Sequence, residues 1–573
     1  MPIDVRPTAL LTALLLLSAH AAADVRLEGV KGELADNIRA HLRLDEEPCD
    51  QEPVRVRYRF EQSEQVIRRA LKPFGYYEPG IEATLDFPAN GCWRAEFRID
   101  PGPPVMISDV DLEVLGEGVS LPVFQRLMEG TSIQPGTQLD HGRYEDLKDG
   151  LLVAAREYGF FDARLVENEI AVNVSARTAD VRLIMDTGDR YRFGDLDVSG
   201  GGLDALLVKR YIDFQSGGPF EQRRLRKLQN DLVRSDYFTS VDVRTIPQED
   251  RTVDVVLLLE EGRRYRYGVG VGYGTDTGLI VRGDWVQRRV NSRGHRLELD
   301  TELSKVRQNL TGDYRIPGRR PQYDWYSFYG GINREDTDAI ERIAWKTGIR
   351  ENRFHTIHWN STPFVEFVVE RYLQDGEWLE QTSLVPGWGI QYLNANEPSR
   401  PTRGIRLKAE VAGAAEKVLS SASFVRLLFT GKSILPLGKR GRIITRGEAG
   451  WMETNDFDDV PPTWRFFAGG DRSVRGYDYQ SLGPLDDEGK AIGGRMLLTA
   501  SVEGDWRVRE RWSAAVFADA GNVGEENLLD NLPWSIGAGV RWYSPVGPIR
   551  LDFAFPQEGG NDFRIHISMG PDL

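Results

Sequence analysis

From Tyr265 to the end of the chain, apolar and polar residues alternate with period two in roughly sixteen segments, separated by polar or Gly/Pro-bearing connections. In "HRLELDTEL", Leu297, Leu299 and Leu303 alternate with Glu298, Asp300 and Glu302. In "PIRLDFAFP", Ile549, Leu551, Phe553 and Phe555 alternate with Arg550 and Asp552. A soluble sandwich has the same period. Two features point instead to a transmembrane barrel of about 16 antiparallel strands: the segments are many within one uninterrupted stretch, and Trp506, Trp534, Trp542 and Tyr543 gather near segment ends, as girdles do. Hydrocarbon requires such a sheet to close, so the charged residues are expected to line a lumen.

The first half follows another pattern. "LKPFGYYEPGIEATL" from Leu71, "AAREYGFFDARLVEN" from Ala154 and "LVRSDYFTSVDVRTI" from Leu232 each read as the end of an amphipathic helix, an aromatic pair and an alternating strand. Each unit closes on a second strand and an acidic turn at Gly102, Gly188 and Gly262. Three α+β modules are therefore expected, at 24–103, 104–189 and 190–263, ahead of a barrel at 264–573. The aromatic pairs Tyr76-Tyr77, Phe160-Phe161 and Tyr237-Phe238 read as packing between helix and sheet. The module sheets would offer strand edges to an extended polypeptide.

Residues 1–23 carry a short apolar run, "ALLTALLLLSA", followed by small residues, and read as a cleavable secretory signal. Export gives the two cysteines, Cys49 and Cys92, an oxidising compartment, where an even, close pair most simply forms one disulfide. They fall short of a zinc site, and no metal or cofactor is expected. A net charge of −15 argues against nucleic acid as a partner. No G-x-S-x-G is present, and His355 and His358, three apart on an expected strand, would point to opposite faces, so no enzymatic site is expected.

One stretch departs from the regular spacing. "GGDRSVRGYDY" lies in the longest connection of the barrel half, and the glycines beside Arg475 allow a tight bend. On the following strands, parity turns Glu503 and Asp519 toward the lumen if Met496, Leu498, Val516 and Ala518 face lipid. A loop folded inward would set Arg475, with Gly476 and Tyr477, against those two carboxylates. The first barrel segment, "YRYGVGVGYG", places Gly268, Gly270, Gly272 and Gly274 on one face, and the last, from Asp562, stops at Gly570-Pro571. Glycine weakens a strand and Pro571 cannot donate to a ladder, so this closing pair is expected to be a weak lateral seam, with Val269 and Val271 set near Ile565 and Ile567. The other reading of the glycines is that they accommodate barrel curvature.

The series "SVRGY", "GGRMLLTASVEGDW", "FADAG", "GVRWYSPVGPIRLDFAFP" and "FRIHISMGPDL", preceded by "PSRPTRGIRL" and by the three modules, resembles the ordered motifs of the outer-membrane assembly superfamily of BamA, TamA and the two-partner secretion transporters. The modules correspondingly resemble POTRA domains. Three modules, the chain length and the "GPDL" ending resemble the TamA branch. That resemblance implies a barrel in the outer membrane of a Gram-negative bacterium with its POTRA domains in the periplasm. It implies a factor that inserts or secretes autotransporter-type outer-membrane proteins, in contact with outer-membrane lipid and with an inner-membrane-anchored TamB-like partner on the POTRA domains. A passive or gated pore and a two-partner-type transporter are the alternatives. The terminus departs from the aromatic last residue usual for outer-membrane proteins.

Overall fold

The computed structural model describes residues 24–569 except 90–91, 338–339, 375, 398–399, 488, 526, 531, 545–546 and 558–562. The expected signal segment, Asp562, Gly570 and Pro571 therefore lie outside the described residues. Two compact units emerge. One runs to Asp195 and takes in Phe214–Leu225 and Thr245–Asp254; the other holds Leu196–Asp213, Arg226–Arg244 and the chain from Val255.

Each repeat forms a three-stranded sheet whose last strand lies in the middle. In the first, Asp24–Glu28 runs parallel to Arg94–Asp100, which pairs antiparallel with Gly80–Asp86. Met106–Leu115, Thr178–Asp186 and Arg164–Asn173 repeat that order, as do Arg192–Gly200, Thr252–Glu261 and Phe238–Pro247. The central strand carries the strictest alternation because one face is covered by helices. Ala95, Phe97 and Ile99 are buried in one sheet, and Val181, Leu183 and Met185 in the next. Helix Pro53–Leu71 starts on a proline at its first position and lays Val56, Ile67 and Leu71 on the first core. The acidic turn has a local cause: the Asp100 and Asp186 carboxylates accept from the N–H of Gly102 and Gly188, both at positive φ.

Cys49 and Cys92 are bonded. Beside them Trp93 is buried and its indole donates to the Pro48 carbonyl. The cross-link stabilises a module too small to bury a large core. Replacing both cysteines with serine should lower the first module's stability by about 2–5 kcal/mol while leaving the barrel unchanged. Hydrogen exchange of the full chain would show lost protection in Pro53–Leu71; equal protection there would contradict the prediction.

The second half is a sheet of sixteen strands in sequential order, from Tyr265–Gly274 to Arg564–Met569. Every neighbouring pair is antiparallel, as the period-two segments with short connections require. On Met496–Arg509, Thr499, Ser501, Glu503 and Asp505 are buried, while Val502 and Trp506 are half exposed on the outer face. On Trp512–Gly524, Phe517 and Asp519 are buried and Val516 is exposed. Parity therefore falls as the alternation predicts: a polar interior and an apolar exterior. Among the described residues no helix is long and apolar enough to cross a membrane.

The interior differs from the expected charged lumen in one respect. Residues 455–495, between strands Gly441–Thr454 and Met496–Arg509, fold into the barrel and bring their own core. Val460, Trp464, Phe466, Val474 and Leu482 pack with the inward-facing Val368, Val385, Met452 and Val523. The apolar residues of this loop leave water, which offsets the cost of ordering so long a segment. His355 and His358 also differ from expectation. They sit in and beside the turn between Glu341–Phe354 and Trp359–Gln374, His355 against Ser361 and His358 against the Leu393 carbonyl.

Candidate functional site: the lumen loop and the seam

Arg475 is 3% exposed. Its guanidinium is held on several sides at once. Nε and Nη2 donate to the two oxygens of Asp519 at 2.7 and 2.9 Å, and Nη1 donates to Glu503 at 2.9 Å and Asp552 at 3.0 Å. The backbone N–H of Arg475 adds a bond to Asp519, and the ring of Phe517 lies under the guanidinium at 3.4 Å. Arg541 bridges Glu503 and Asp552 from the far side, and Arg446 approaches Asp519. Three cations thus face three carboxylates, the condition under which buried charge is tolerated.

The structure brings together Arg475, Glu503 and Asp519 as the sequence suggests, and adds Asp552 and Arg541, which sequence reading passed over. Gly476 takes φ +97°, and a Cβ there would press on Ser535 and Pro556. Tyr477 reaches the Trp534 carbonyl. The loop is fastened to the opposite wall as well. Tyr479 bonds Arg307 and Glu335, and Thr463 bonds Arg342 and Glu370.

At the seam, no ladder joins the first and last strands among the described residues. Among those residues the backbone contact is at one place, where Thr275 N–H donates to the Ile567 carbonyl at 3.3 Å and Ile567 N–H donates to Thr275 Oγ1 at 2.7 Å. This register corrects the expected facing residues. Ile567 meets Thr275, not Val269 or Val271, so the described part of the last strand lies along the end of the first strand and its turn. Val269 is 83% exposed, and Tyr267, Val271 and Ile565 are also exposed. Gly268, Gly270 and Gly272 share the inner face. A Cβ on Gly268 would collide with the Asp284 carboxylate, whereas one on Gly272 would meet Met569 and Ile280 at ordinary distance. The glycine face thus makes room for Asp284. Gly570 lies outside the described residues.

The aromatic pairs do more than pack helix on sheet, which corrects the simpler reading. One ring of each pair serves its own module and the other reaches the next element. Tyr76 packs in the first core, whereas Tyr77 packs against the second core and bonds His141. Phe160 lies in the second core, whereas Phe161 meets Tyr191 and Phe220 edge-on at 5.2 Å. In the third pair Tyr237 donates to the carbonyl of Gly294, in the turn before barrel strand Arg296–Leu303, and burial pushes its hydroxyl pKa up to about 12. Before each pair stands a positive-φ residue, Gly75, Gly159 or Asp236. The carbonyls of Gly75 and Gly159 accept from Val105 and Tyr191 of the following module, and Asp236 pairs with Arg288.

At the first of these joints, burial lowers the His141 pKa below its ordinary 6.5, while Asp140 and Glu145 oppose that shift. The folded joint therefore favours the neutral ring, whose Nε2 lies in hydrogen-bond contact with the Tyr77 hydroxyl at 2.9 Å. Its contribution is complete above pH 6.5 and is lost as pH falls through the lower folded value. The protection factor of Val105 N–H, its exchange rate relative to an unfolded amide at the same pH, should fall on acidification in the native protein and lose that dependence in His141→Gln. Identical pH profiles for the two would refute the assignment.

A sixteen-stranded barrel with an apolar outer face, a folded loop in its lumen and three β-α-α-β-β modules before it defines a transmembrane barrel with POTRA domains. Residues 261–572 match the Omp85 superfamily domain, and the chain belongs to that superfamily. Residues 24–101 match the first POTRA domain of TamA, and 191–262 match the POTRA family described as a surface antigen variable number repeat. The outer membrane protein assembly factor BamA of Nitratidesulfovibrio vulgaris is 25% identical over 384 residues, covering 63% of this chain and 48% of that protein. BamA of Neisseria meningitidis is 23% identical over 462 residues, covering 67% and 56%. The chain thus spans about half the length of the curated relatives it matches. The crystal structure of BamA from Haemophilus ducreyi lacking POTRA domains 1–3 shares the fold, with a TM-score of 0.69 at 16% identity over 81% of this chain and 99% of that one.

Proposed function

We propose that this protein is a TamA-type assembly factor of the Gram-negative outer membrane. In this reading it promotes insertion or secretion of autotransporter-type barrel proteins by opening the seam between its first and last strands, while an inner-membrane-anchored TamB-like partner engages the periplasmic POTRA modules. The observation that carries the reading is the free edge of Tyr265–Gly274. It presents backbone donors and acceptors that no ladder of the last strand occupies among the described residues. An incoming strand can pair with that edge by exchanging main-chain hydrogen bonds, with little demand on its sequence. The match of residues 24–101 to the first TamA POTRA domain supports the choice of branch. The folded, apolar-cored loop in the lumen speaks against an open pore.

A photo-crosslinking amino acid at Val269, in cells producing an autotransporter, tests this directly. Adducts with the precursor's barrel strands are expected, and probes on the exposed Gly80–Asp86 edge should capture the TamB-like partner. If Val269 captures only lipid while the precursor is being inserted, the assembly reading fails.

A further inference from the structure

Three elements distant in sequence meet beside the seam: the turn after the first strand, the lumen loop and the last strand. Their meeting point is His566. It is 4% exposed and stands opposite Asp552 in the ladder, on the lumen face of Arg564–Met569. The N–H of Gly476 donates to its Nε2 at 2.8 Å. A backbone N–H can only donate, so Nε2 carries the lone pair and the ring proton sits on Nδ1. Nδ1 in turn faces the carboxylate of Asp471. Both nitrogens of a last-strand residue are therefore taken by the loop, on either side of its turn at Val474 and Arg475. Asp471 also reaches the other side of the seam, where its N–H donates to Asp276 Oδ2 at 2.8 Å, one residue beyond the single backbone contact at Thr275.

We propose that His566 is the positioning residue through which the lumen loop holds the seam shut. With Arg475 docked, Gly476 and Asp471 fix the imidazole, and the imidazole fixes the last strand against the first turn. When the loop moves, both buried bonds go together, and among the described residues the strand is left with its outer neighbour, Thr275 and the exposed ion pair between Arg564 and loop residue Asp478. A histidine serving the barrel wall alone would bond the adjacent strands. This one bonds the loop at both nitrogens, and the residue accepting nothing from it on the wall, Asp552, is occupied by Arg475 and Arg541. The latch rests on the seam-opening reading above, but it is a property of the protein without a client.

The test uses the full chain in lipid nanodiscs, with Cys49 and Cys92 replaced by serine and spin labels at Val271 and Ile565. His566→Phe keeps the ring volume and removes both bonds, and it should raise the ratio of separated to closed seams about tenfold, the scale of two buried hydrogen bonds. His566→Gln can donate to Asp471 and accept from Gly476, and it should stay within about twofold of the parent. In an Arg475→Ala background, where the loop is already free, His566→Phe should add nothing. Should His566→Phe fail to assemble, Asp471→Leu breaks the same link from the loop side and should open the seam likewise. Unchanged distances in these variants, a Gln variant as open as the Phe variant, or full additivity with Arg475→Ala would each overturn the latch. No client enters this measurement, so its failure is distinct from failure of the assembly reading, which is read by client insertion.

Discussion

Arg475→Glu should release the lumen loop and abolish client assembly while leaving the barrel in the membrane. The guanidinium is almost fully buried and neutralises Asp519, Glu503 and Asp552 through four side-chain hydrogen bonds. Removing one member of such a network costs about 3–5 kcal/mol, because the remaining charges stay buried without their partner. Reversal goes further and adds a carboxylate to three. The sixteen strands keep their ladders, so the damage concentrates in residues 455–495, where trypsin gains access to Arg472. Arg475→Lys keeps the charge but loses the planar fork that grips Asp519 with two nitrogens, and it should fall between the parent and the reversal. Limited proteolysis of membranes and client insertion are the two readouts. A reversed loop as resistant as the parent, or reversal no worse than lysine, would contradict the anchoring role.

The barrel was legible because its physical cause is strictly periodic. Lipid outside and a polar lumen inside force alternate residues apart, so the faces of Glu503, Phe517 and Asp519 could be read from Val502 and Val516. The loop anchor was partly legible, since Arg475 among glycines in a long connection has few places to go. Arg541 and Asp552 have the right parity, but so do many lumen residues, and nothing in the strand pattern selects the two that share Glu503 and Arg475. His566 was passed over for the same reason; a lone histidine at a lumen position of the last strand, with Gly476 N–H as its partner, leaves no local pattern. The seam register was misjudged because a strand pair without a ladder carries no pairing constraint between its side chains. The aromatic pairs gave their presence but not their division of labour. A positive-φ residue stands ahead of all three pairs, yet the second ring crosses at Tyr77 and Phe161 and the first at Tyr237, so the local pattern does not say which ring turns, and at Asp236 the sequence does not advertise the turn as Gly75 and Gly159 do.

The central claim is that the seam must open for a client to be assembled, and a covalent lock tests it most directly. The native register directs the cysteines to Thr275 and Ile567, whose backbones already touch, in a chain whose Cys49 and Cys92 are serine. The locked protein keeps its loop, its POTRA modules and all sixteen strands; only separation of the first and last is prevented. The reduced form of the same variant serves as its own control for the lost Thr275 hydroxyl. Insertion of an autotransporter barrel into vesicles carrying the protein should fall to the protein-free background when the pair is oxidised and return on reduction. Insertion by the oxidised form at the rate of the reduced form would show that this seam is not where the work is done.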